Sequence, residues 1–224
     1  MTHREAVPSS VGAVDLDEIA RRCAAHVATL PTDAAHDAGH VRRVVRTALA
    51  LAEAEGARRE VVLPAAWLHD CVVVPKDSPE RPRASRLSAA EAVRLLPAWG
   101  FGALPLDAIA HAIEAHSFSA GIAPRTIEAA VVQDADRLDA LGAIGLARCL
   151  ALGGAMGRPL MDADDPFAER RAPDDGRWSL DHLPAKLLRL EATMRTAAGR
   201  AEAAARTAWL HGFLAQLRHE VASD

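Results

Sequence analysis

Residues 65–77 read AAWLHDCVVVPKD, an apolar run that ends at His69 and Asp70 and continues into three valines. A carboxylate withdrawn from water is costly unless it is paired, hydrogen-bonded or bound to a metal. If this stretch is buried, the rest of the chain must supply partners for the two side chains. Both the fold and the chemistry depend on where those partners lie.

Apolar residues recur at helical spacing along most of the chain, which predicts an all-α protein. We expect helices at about residues 15–30, 34–55, 59–69, 88–97, 105–116, 125–152, 182–197 and 199–221, of which the last two can form one continuous helix. Pro64 favours a later start for the third helix, with the proline in its first turn. Residues 72–86 hold three prolines and predict an ordered loop, in which the three valines are the only strand-like run.

The 224 residues are enough for one domain with a substantial core. We expect a loose arm at residues 1–14 and a single compact helical domain at residues 15–222. Within that domain, residues 153–180 are rich in glycine, proline and aspartate and predict a long surface excursion.

Charge and cysteine content exclude several classes of function. The net charge is −4 and no basic tract stands out, so we expect no dedicated nucleic-acid surface. The three cysteines are odd in number and widely spaced, which supports neither a disulfide framework nor a cysteine zinc site. A reducing cytoplasm fits best. The first residues do not resemble a signal peptide, and no apolar run approaches the roughly 18 residues of a membrane span.

Histidines and aspartates that could join His69 and Asp70 lie in three further segments. In HDAGHVRRV, residues 36–44, His36 and His40 are four apart and share one side of a helix. This H-D-x-x-H pattern is close to the H-E-x-x-H of zinc proteases. The aspartate is shorter than the glutamate base, however, and no third ligand follows at the expected spacing, so we disfavour a protease.

The second segment, VVQDADRLDALGAIG at residues 131–145, holds three aspartates that cannot share one helix face. Asp134 is a candidate for a helix cap, whereas Asp136 is a candidate ligand. In the third segment, AHSFSAG, His116 ends a predicted helix and serines follow it. Two imidazoles and two carboxylates suit a divalent cation such as Mn²⁺, Mg²⁺, Fe²⁺, Ni²⁺ or Zn²⁺. These four are His40, His69, Asp70 and Asp136.

The order of these residues, H…HD…D, resembles the HD-domain superfamily of metal-dependent phosphohydrolases. The segments GHVRRV, AWLHD, EAHSFSAG and VQDADRLDALGAIGLAR are similar to a bacterial subgroup of small HD hydrolases, and the similarity covers roughly residues 15–195. The resemblance implies a compact bundle of α-helices around a buried metal. It also implies that His40, His69, Asp70 and Asp136 are the metal ligands.

Members of that subgroup are associated with hydrolysis of (deoxy)nucleoside triphosphates to monophosphate and pyrophosphate, which is the function we expect. A nucleoside monophosphatase, a cyclic-nucleotide phosphodiesterase and a non-catalytic nucleotide-binding sensor remain alternatives. The small phosphorylated substrate needs positive and polar partners, and we assign Lys76, Arg81, His116 and Ser117 to it. The candidate catalytic acids and bases are Asp70, His36 and Asp37, with Asp134 also open as a base. The long C-terminal helices could pack against a second copy in a homodimer.

Overall fold

A computed structural model describes residues 15–31, 38–74 and 78–221. The predicted N-terminal arm lies outside these residues. The all-α class is confirmed, because the described residues contain no β-strand and the valines at 72–74 lie in an irregular loop. The helices are α1 (Leu16–Val27), α2 (Ala38–Glu55), α3 (Arg59–Leu68), α4 (Ala84–Ala98), α5 (Leu106–His116), α6 (Ile127–Leu138), α7 (Gly142–Ala155), α8 (His182–Ala185) and α9 (Ala197–Val221).

Helix α3 lies at the centre of the bundle and packs against α1, α2, α4, α5 and α6. Seven of its ten residues are buried, so packing on every side stabilises it. The predicted later start is wrong. The helix begins at Arg59, and Pro64 lies in its interior, where it removes the backbone hydrogen bond to Glu60. Burial of the surrounding apolar side chains offsets that loss.

The predicted single helix at residues 125–152 is also wrong, because it breaks at residues 139–141 into α6 and α7. Gly142 adopts a φ of +68°, which a residue with a side chain rarely adopts. Gly145 then lets the chain turn tightly, since a Cβ there would lie 2.2 Å from the Ala140 carbonyl oxygen. Asp139 directly follows the last residue of α6 and keeps a helical backbone conformation, with φ −68° and ψ −14°.

The C-terminal region departs from the predicted helix at residues 182–197. It forms the single turn α8 and two 3₁₀ turns, Leu187–Arg189 and Glu191–Thr193, before α9 begins. Lys186 leaves the helical region with φ −137° and ψ −59°. The Thr193 carbonyl accepts from the Arg137 guanidinium at 2.9 Å. This long-range bond uses a carbonyl that a longer helix would bond to its own N–H groups.

The predicted excursion starts later than expected, because α7 continues to Ala155. Residues 156–177 are exposed or half-buried, but Trp178, Leu180 and Asp181 are buried. The Asp181 carboxylate accepts from the Arg171 guanidinium and from the Asp174 N–H. Arg171 also lies 4.1 Å from the centre of the Trp178 ring. This network holds the end of the excursion against the domain.

In the part of the chain that the structure describes, no single helix has both the length and the hydropathy to cross a membrane. Among the described helices, α6 and α7 meet those two criteria only when taken together, and a bend of 58° separates them.

Candidate metal centre

Three buried imidazoles converge from three elements of the bundle. His40 lies in α2, His69 directly follows α3, and His116 is the last residue of α5. The ring centres of His40 and His69 are 5.5 Å apart, and those of His69 and His116 are 4.9 Å apart. All three side chains are at least nine-tenths buried. We call these three residues, together with Asp70 and Asp136, the imidazole cluster.

Each imidazole uses its Nδ1 atom for a hydrogen bond that points away from the cluster. His69 and His116 each donate to the carbonyl three residues earlier, at Ala66 (2.9 Å) and Ile113 (2.6 Å). Carbonyls at a helix C-terminus have no intrahelical partner, so both bonds also cap a helix end. Because a carbonyl can only accept, Nδ1 must carry the proton in these two rings. In the neutral rings the Nε2 lone pair therefore points into the cluster.

Two carboxylates lie between the imidazoles on the more open side of the cluster. Asp136 Oδ1 lies 3.4 Å from His40 Nε2 and 3.9 Å from His69 Nε2. The two oxygens of Asp70 lie 3.7 Å from His69 Nε2 and 3.5 Å from His116 Nε2. The side chains of Asp70 and Asp136 are 23% and 29% exposed. Water and a small ligand can therefore reach the carboxylates, whereas the imidazoles are enclosed.

The donor atoms of the cluster fit a divalent cation. Two sets of three donors, one from His40, His69 and Asp136 and the other from His69, Asp70 and His116, each lie within 4.8 Å of one another. His69 Nε2 belongs to both sets and is fully buried without a hydrogen-bond partner in the structure. A buried polar atom in that state is costly unless a ligand satisfies it. Mixed imidazole and carboxylate donors suit a first-row metal ion.

The ionisation of the cluster follows from its charges. Burial disfavours the charged form of His40, but its contacts with Asp136 and Asp139 raise its pKa to about 9. Burial also opposes ionisation of Asp136, yet the neighbouring imidazoles hold the pKa of its carboxyl well below the usual range. Burial lowers the pKa of His69, whereas Asp70 raises that of His116 against the effect of burial. The Asp136 carboxylate thus favours its charged form, and contacts with the carboxylates favour the protonated forms of His40 and His116.

Asp139 supports the cluster from behind. Its carboxylate accepts from His40 Nδ1 at 2.7 Å and from Arg43 Nε at 2.7 Å, and Arg148 contacts the same group. Asp139 follows Asp136 by three residues, so both carboxylates lie on the side of α6 that faces His40. A carboxylate behind a metal-binding imidazole fixes the orientation of the ring and raises its basicity.

Comparisons with known proteins agree with this geometry. A family model of the HD domain matches residues 37–141. Protein YpgQ of Bacillus subtilis is 34% identical over 190 residues, which cover 83% of this chain and 84% of YpgQ. The crystal structure of an HD-superfamily hydrolase from Bacillus thuringiensis is 31% identical, covers 93% of this chain and 97% of that one, and superposes with a TM-score of 0.72. The chain belongs to the HD superfamily of hydrolases.

A second structural match is the crystal structure of B. subtilis YpgQ in complex with ADP. It is 31% identical, covers 93% of this chain and 99% of that chain, and has a TM-score of 0.69. Family membership makes this chain an HD-type metal-dependent phosphohydrolase and confirms the predicted helical bundle around a buried metal site. It also implies a divalent metal, without specifying which ion.

The structure brings His40, His69, Asp70 and Asp136 together, and their roles as the HD metal ligands stay a prediction. Because α3 ends at Leu68, His69 and Asp70 lie in the turn that follows, where neighbouring side chains can approach a common point. Sequence reasoning assigned His116 to the substrate and missed how closely it joins the cluster. The signal was its position at the predicted end of α5, which parallels the position of His69 after α3.

Asp134, one of the acids left open as a base, has a structural role instead. Its carboxylate is fully buried and accepts from the N–H groups of Arg195 and Thr196 and from the Thr196 hydroxyl, at 2.8 to 3.1 Å. The Thr196 hydroxyl in turn accepts from the Gly199 N–H, which is the usual arrangement of a helix N-cap. Asp134 therefore holds the start of α9, and we withdraw it as a candidate base.

The other predicted residues divide into two groups. His36, Asp37 and Lys76 lie outside the described residues. Arg81 donates to the Val74 carbonyl at 3.0 Å, so one of its nitrogens stabilises the loop rather than facing a ligand. The Ser117 hydroxyl lies 3.1 Å from that of Ser119, directly after His116. Ser117 is thus beside the cluster, and its role toward substrate stays a prediction.

Proposed function

We propose that this HD phosphohydrolase converts (deoxy)nucleoside triphosphates to nucleoside monophosphate and pyrophosphate. The anhydride between the α- and β-phosphates would break, and water would supply the oxygen and the two hydrogens that complete the products. The observation that carries the hydrolytic part is the buried Nε2 of His69, which has no partner among the described residues and faces two carboxylates that solvent can reach. The complex of YpgQ with ADP supports a nucleotide as the ligand class.

In this proposal His40, His69, Asp70 and Asp136 hold the divalent cation. When bound, the cation supplies Lewis-acid polarisation of a phosphoryl oxygen and acidification of a water molecule. The protein orients the donors beforehand, because the Nδ1 bonds of the imidazoles fix which nitrogen faces the cluster. Rotational freedom of three side chains is therefore lost during folding rather than during binding.

Asp70 is our candidate to take the proton of the attacking water. It is 23% exposed and lies between His69 and His116, so it is reachable from solvent while it stays in contact with the cluster. His36 and Asp37 stay candidates for the same step. We assign Lys76, Arg81, His116 and Ser117 to the substrate phosphates, of which His116 lies in the imidazole cluster itself, with its Nε2 3.5 Å from the Asp70 carboxylate.

A reducing, cytoplasmic location is part of the proposal, because all three cysteines are free in the structure and two of them are buried. A homodimer stays a prediction. Helix α9 buries only Gly199, Ala203, Thr207 and Leu210, so most of its surface is open to a second copy.

The test is a screen of ribo- and deoxyribonucleoside triphosphates with Mn²⁺, Mg²⁺, Co²⁺ and Ni²⁺, followed by identification of the released phosphate species. Equal amounts of nucleoside monophosphate and pyrophosphate support the proposal. Release of orthophosphate, with a diphosphate or nucleoside as the other product, contradicts it. The matched control is Asp134→Asn, on the same helix as Asp136 but facing α9, which should retain the activity.

A further inference from the structure

Phe118 is the most exposed large hydrophobic side chain among the described residues, at 73%. It lies in the turn that follows α5, two residues after His116. The Gly121 N–H donates to the Phe118 carbonyl at 3.4 Å, and the hydroxyls of Ser117 and Ser119 are in contact on either side. The local backbone thus presents the benzyl group to solvent.

Two neighbours place Phe118 at the edge of the imidazole cluster. Consecutive Cα atoms are ~3.8 Å apart, so the Cα of Phe118 lies within about 7.6 Å of that of His116. From the other side, the guanidinium carbon of Arg137 lies 5.9 Å from the centre of the Phe118 ring. Arg137 directly follows Asp136 in the sequence. The Phe118 ring therefore lies close to two members of the imidazole cluster, near His116 in the sequence and near Asp136 through Arg137.

The arrangement leaves one face of the ring available. Arg137 occupies one face as a cation–π contact, and its guanidinium is itself held by the Thr193 carbonyl at 2.9 Å. With 73% of the residue exposed, the opposite face meets solvent. A flat aromatic ligand can stack there without displacing any protein group.

We propose that Phe118 stacks on the nucleobase of the substrate and so sets the preference of this site for nucleotides over other phosphoanhydrides. The proposal rests on the proposed function, because it takes a nucleoside triphosphate as substrate. Every base presents a π-face, so stacking predicts tolerance among the four bases. Binding energy at the base, remote from the reacting phosphates, should appear mainly in KM.

The experiment compares ATP with inorganic tripolyphosphate, which has the same phosphoanhydrides but no base. We expect Phe118→Ala to raise KM for ATP about tenfold, because the variant loses the stacking contact with the base, while kcat stays close to that of the wild type. KM for tripolyphosphate should not rise with it. Phe118→Trp should restore a low KM for ATP, whereas Phe118→Leu, which is apolar without a π-face, should not.

Trp209→Ala is the matched control, because Trp209 is also an exposed aromatic residue, at 48%, but lies on α9. It should leave KM for ATP unchanged. Equal KM values for ATP in wild type and Phe118→Ala, in protein with an unchanged melting temperature, would overturn the stacking inference and leave the proposed function intact. Absence of any nucleotide turnover in the wild type would instead overturn the proposed function, and the stacking inference with it.

Discussion

Two aspartates of helix α6, Asp134 and Asp136, lie two residues apart in different surroundings. Asp134 faces what we call the α9 junction, which consists of Asp134, Arg195, Thr196 and Gly199. There its oxygens accept from two backbone N–H groups and one hydroxyl. Asp136 faces the imidazole cluster, where it contacts His40 at 3.4 Å and lies 3.9 Å from the partnerless Nε2 of His69.

The difference shows how to separate structural from functional carboxylates in this fold. At the α9 junction the polar groups satisfy one another, and a ligand has nothing left to bind. A Cβ on Gly199 would lie 2.4 Å from the Asp134 carboxylate, so the junction also has no free space. At the imidazole cluster the enclosed His69 Nε2 has no hydrogen-bond partner among the described residues, and the carboxylates are partly exposed. The burial of the carboxylates and the completeness of their hydrogen bonding, rather than sequence position, distinguish the two regions.

The largest expected effect is a loss of catalysis when a carboxylate of the imidazole cluster is removed. Asp136→Ala should lower turnover at least about a thousandfold, since loss of a bound cation removes several kcal/mol of transition-state stabilisation. Initial rates at saturating substrate measure this, with circular dichroism to show that the variant is folded. Activity within tenfold of the wild type would mean that Asp136 is not needed to hold the cation.

The next largest effect is a loss of stability when the α9 junction is disrupted. Asp134→Ala leaves three donors of Arg195 and Thr196 without their acceptor, which should lower the free energy of unfolding by ~3 kcal/mol. For a chain of this size the melting temperature should fall by about 6–12 °C. Calorimetry of Asp134→Ala, with Asp134→Asn as a milder control, measures the change. If Asp134→Ala melted like the wild type but lost the metal, Asp134 would belong to the metal site rather than to the α9 junction.

A smaller effect should come from the support behind the cluster. Asp139→Asn removes the negative charge of the carboxylate that accepts hydrogen bonds from His40 and Arg43. Because that carboxylate orients the His40 ring, we expect the affinity for the metal to fall about 10- to 100-fold. Titration with Mn²⁺ measures the affinity. Glu128→Gln is the matched control, because Glu128 is a buried carboxylate on the same helix that pairs instead with Arg58 at 2.8 Å. An equal loss of affinity in both variants would contradict a specific role of Asp139.

The smallest effect concerns pH and the Glu128–Arg58 pair, which joins α6 to the start of α3. Burial opposes ionisation of Glu128, but the hydrogen bond from Arg58 lowers its pKa below the ordinary 4.5. A group with a lowered folded pKa stabilises the protein above its unfolded pKa and loses that contribution as the pH falls through the folded pKa. The wild type should thus melt at a higher temperature than Glu128→Gln, by the largest margin above pH 4.5. This difference in melting temperature should decrease as the pH falls below 4.5. A gap that widens on acidification would show that the pair does not act through the charge of Glu128.

The helical spacing of apolar residues correctly predicted which faces of the helices are buried. Ile19, Cys23 and Val27 line the buried side of α1, and the apolar stripe of α2 is buried as expected. The proximity of His40, His69, Asp70 and Asp136 followed from residue types and from family resemblance. The helical period is a property that a short stretch of sequence carries by itself, whereas the proximity of the four residues is not.

The features that sequence reasoning missed depend on contacts between residues far apart in the sequence. Asp139 and His40 are 99 residues apart, and the apolar pattern of residues 125–152 does not indicate their contact. The role of Asp134 depends on Arg195 and Thr196, about 60 residues away. The turns after α8 depend on Arg137 reaching Thr193. No local propensity contains such information, since each contact is a property of the packed chain.

The most direct test of the central claim is anomalous diffraction from crystals of the wild-type protein grown with Mn²⁺. The account predicts one anomalous peak within coordination distance of His69 Nε2, shared with His40, Asp70 and Asp136, and no peak at the α9 junction. A metal ion located elsewhere, with His69 Nε2 against hydrocarbon or water alone, would contradict it.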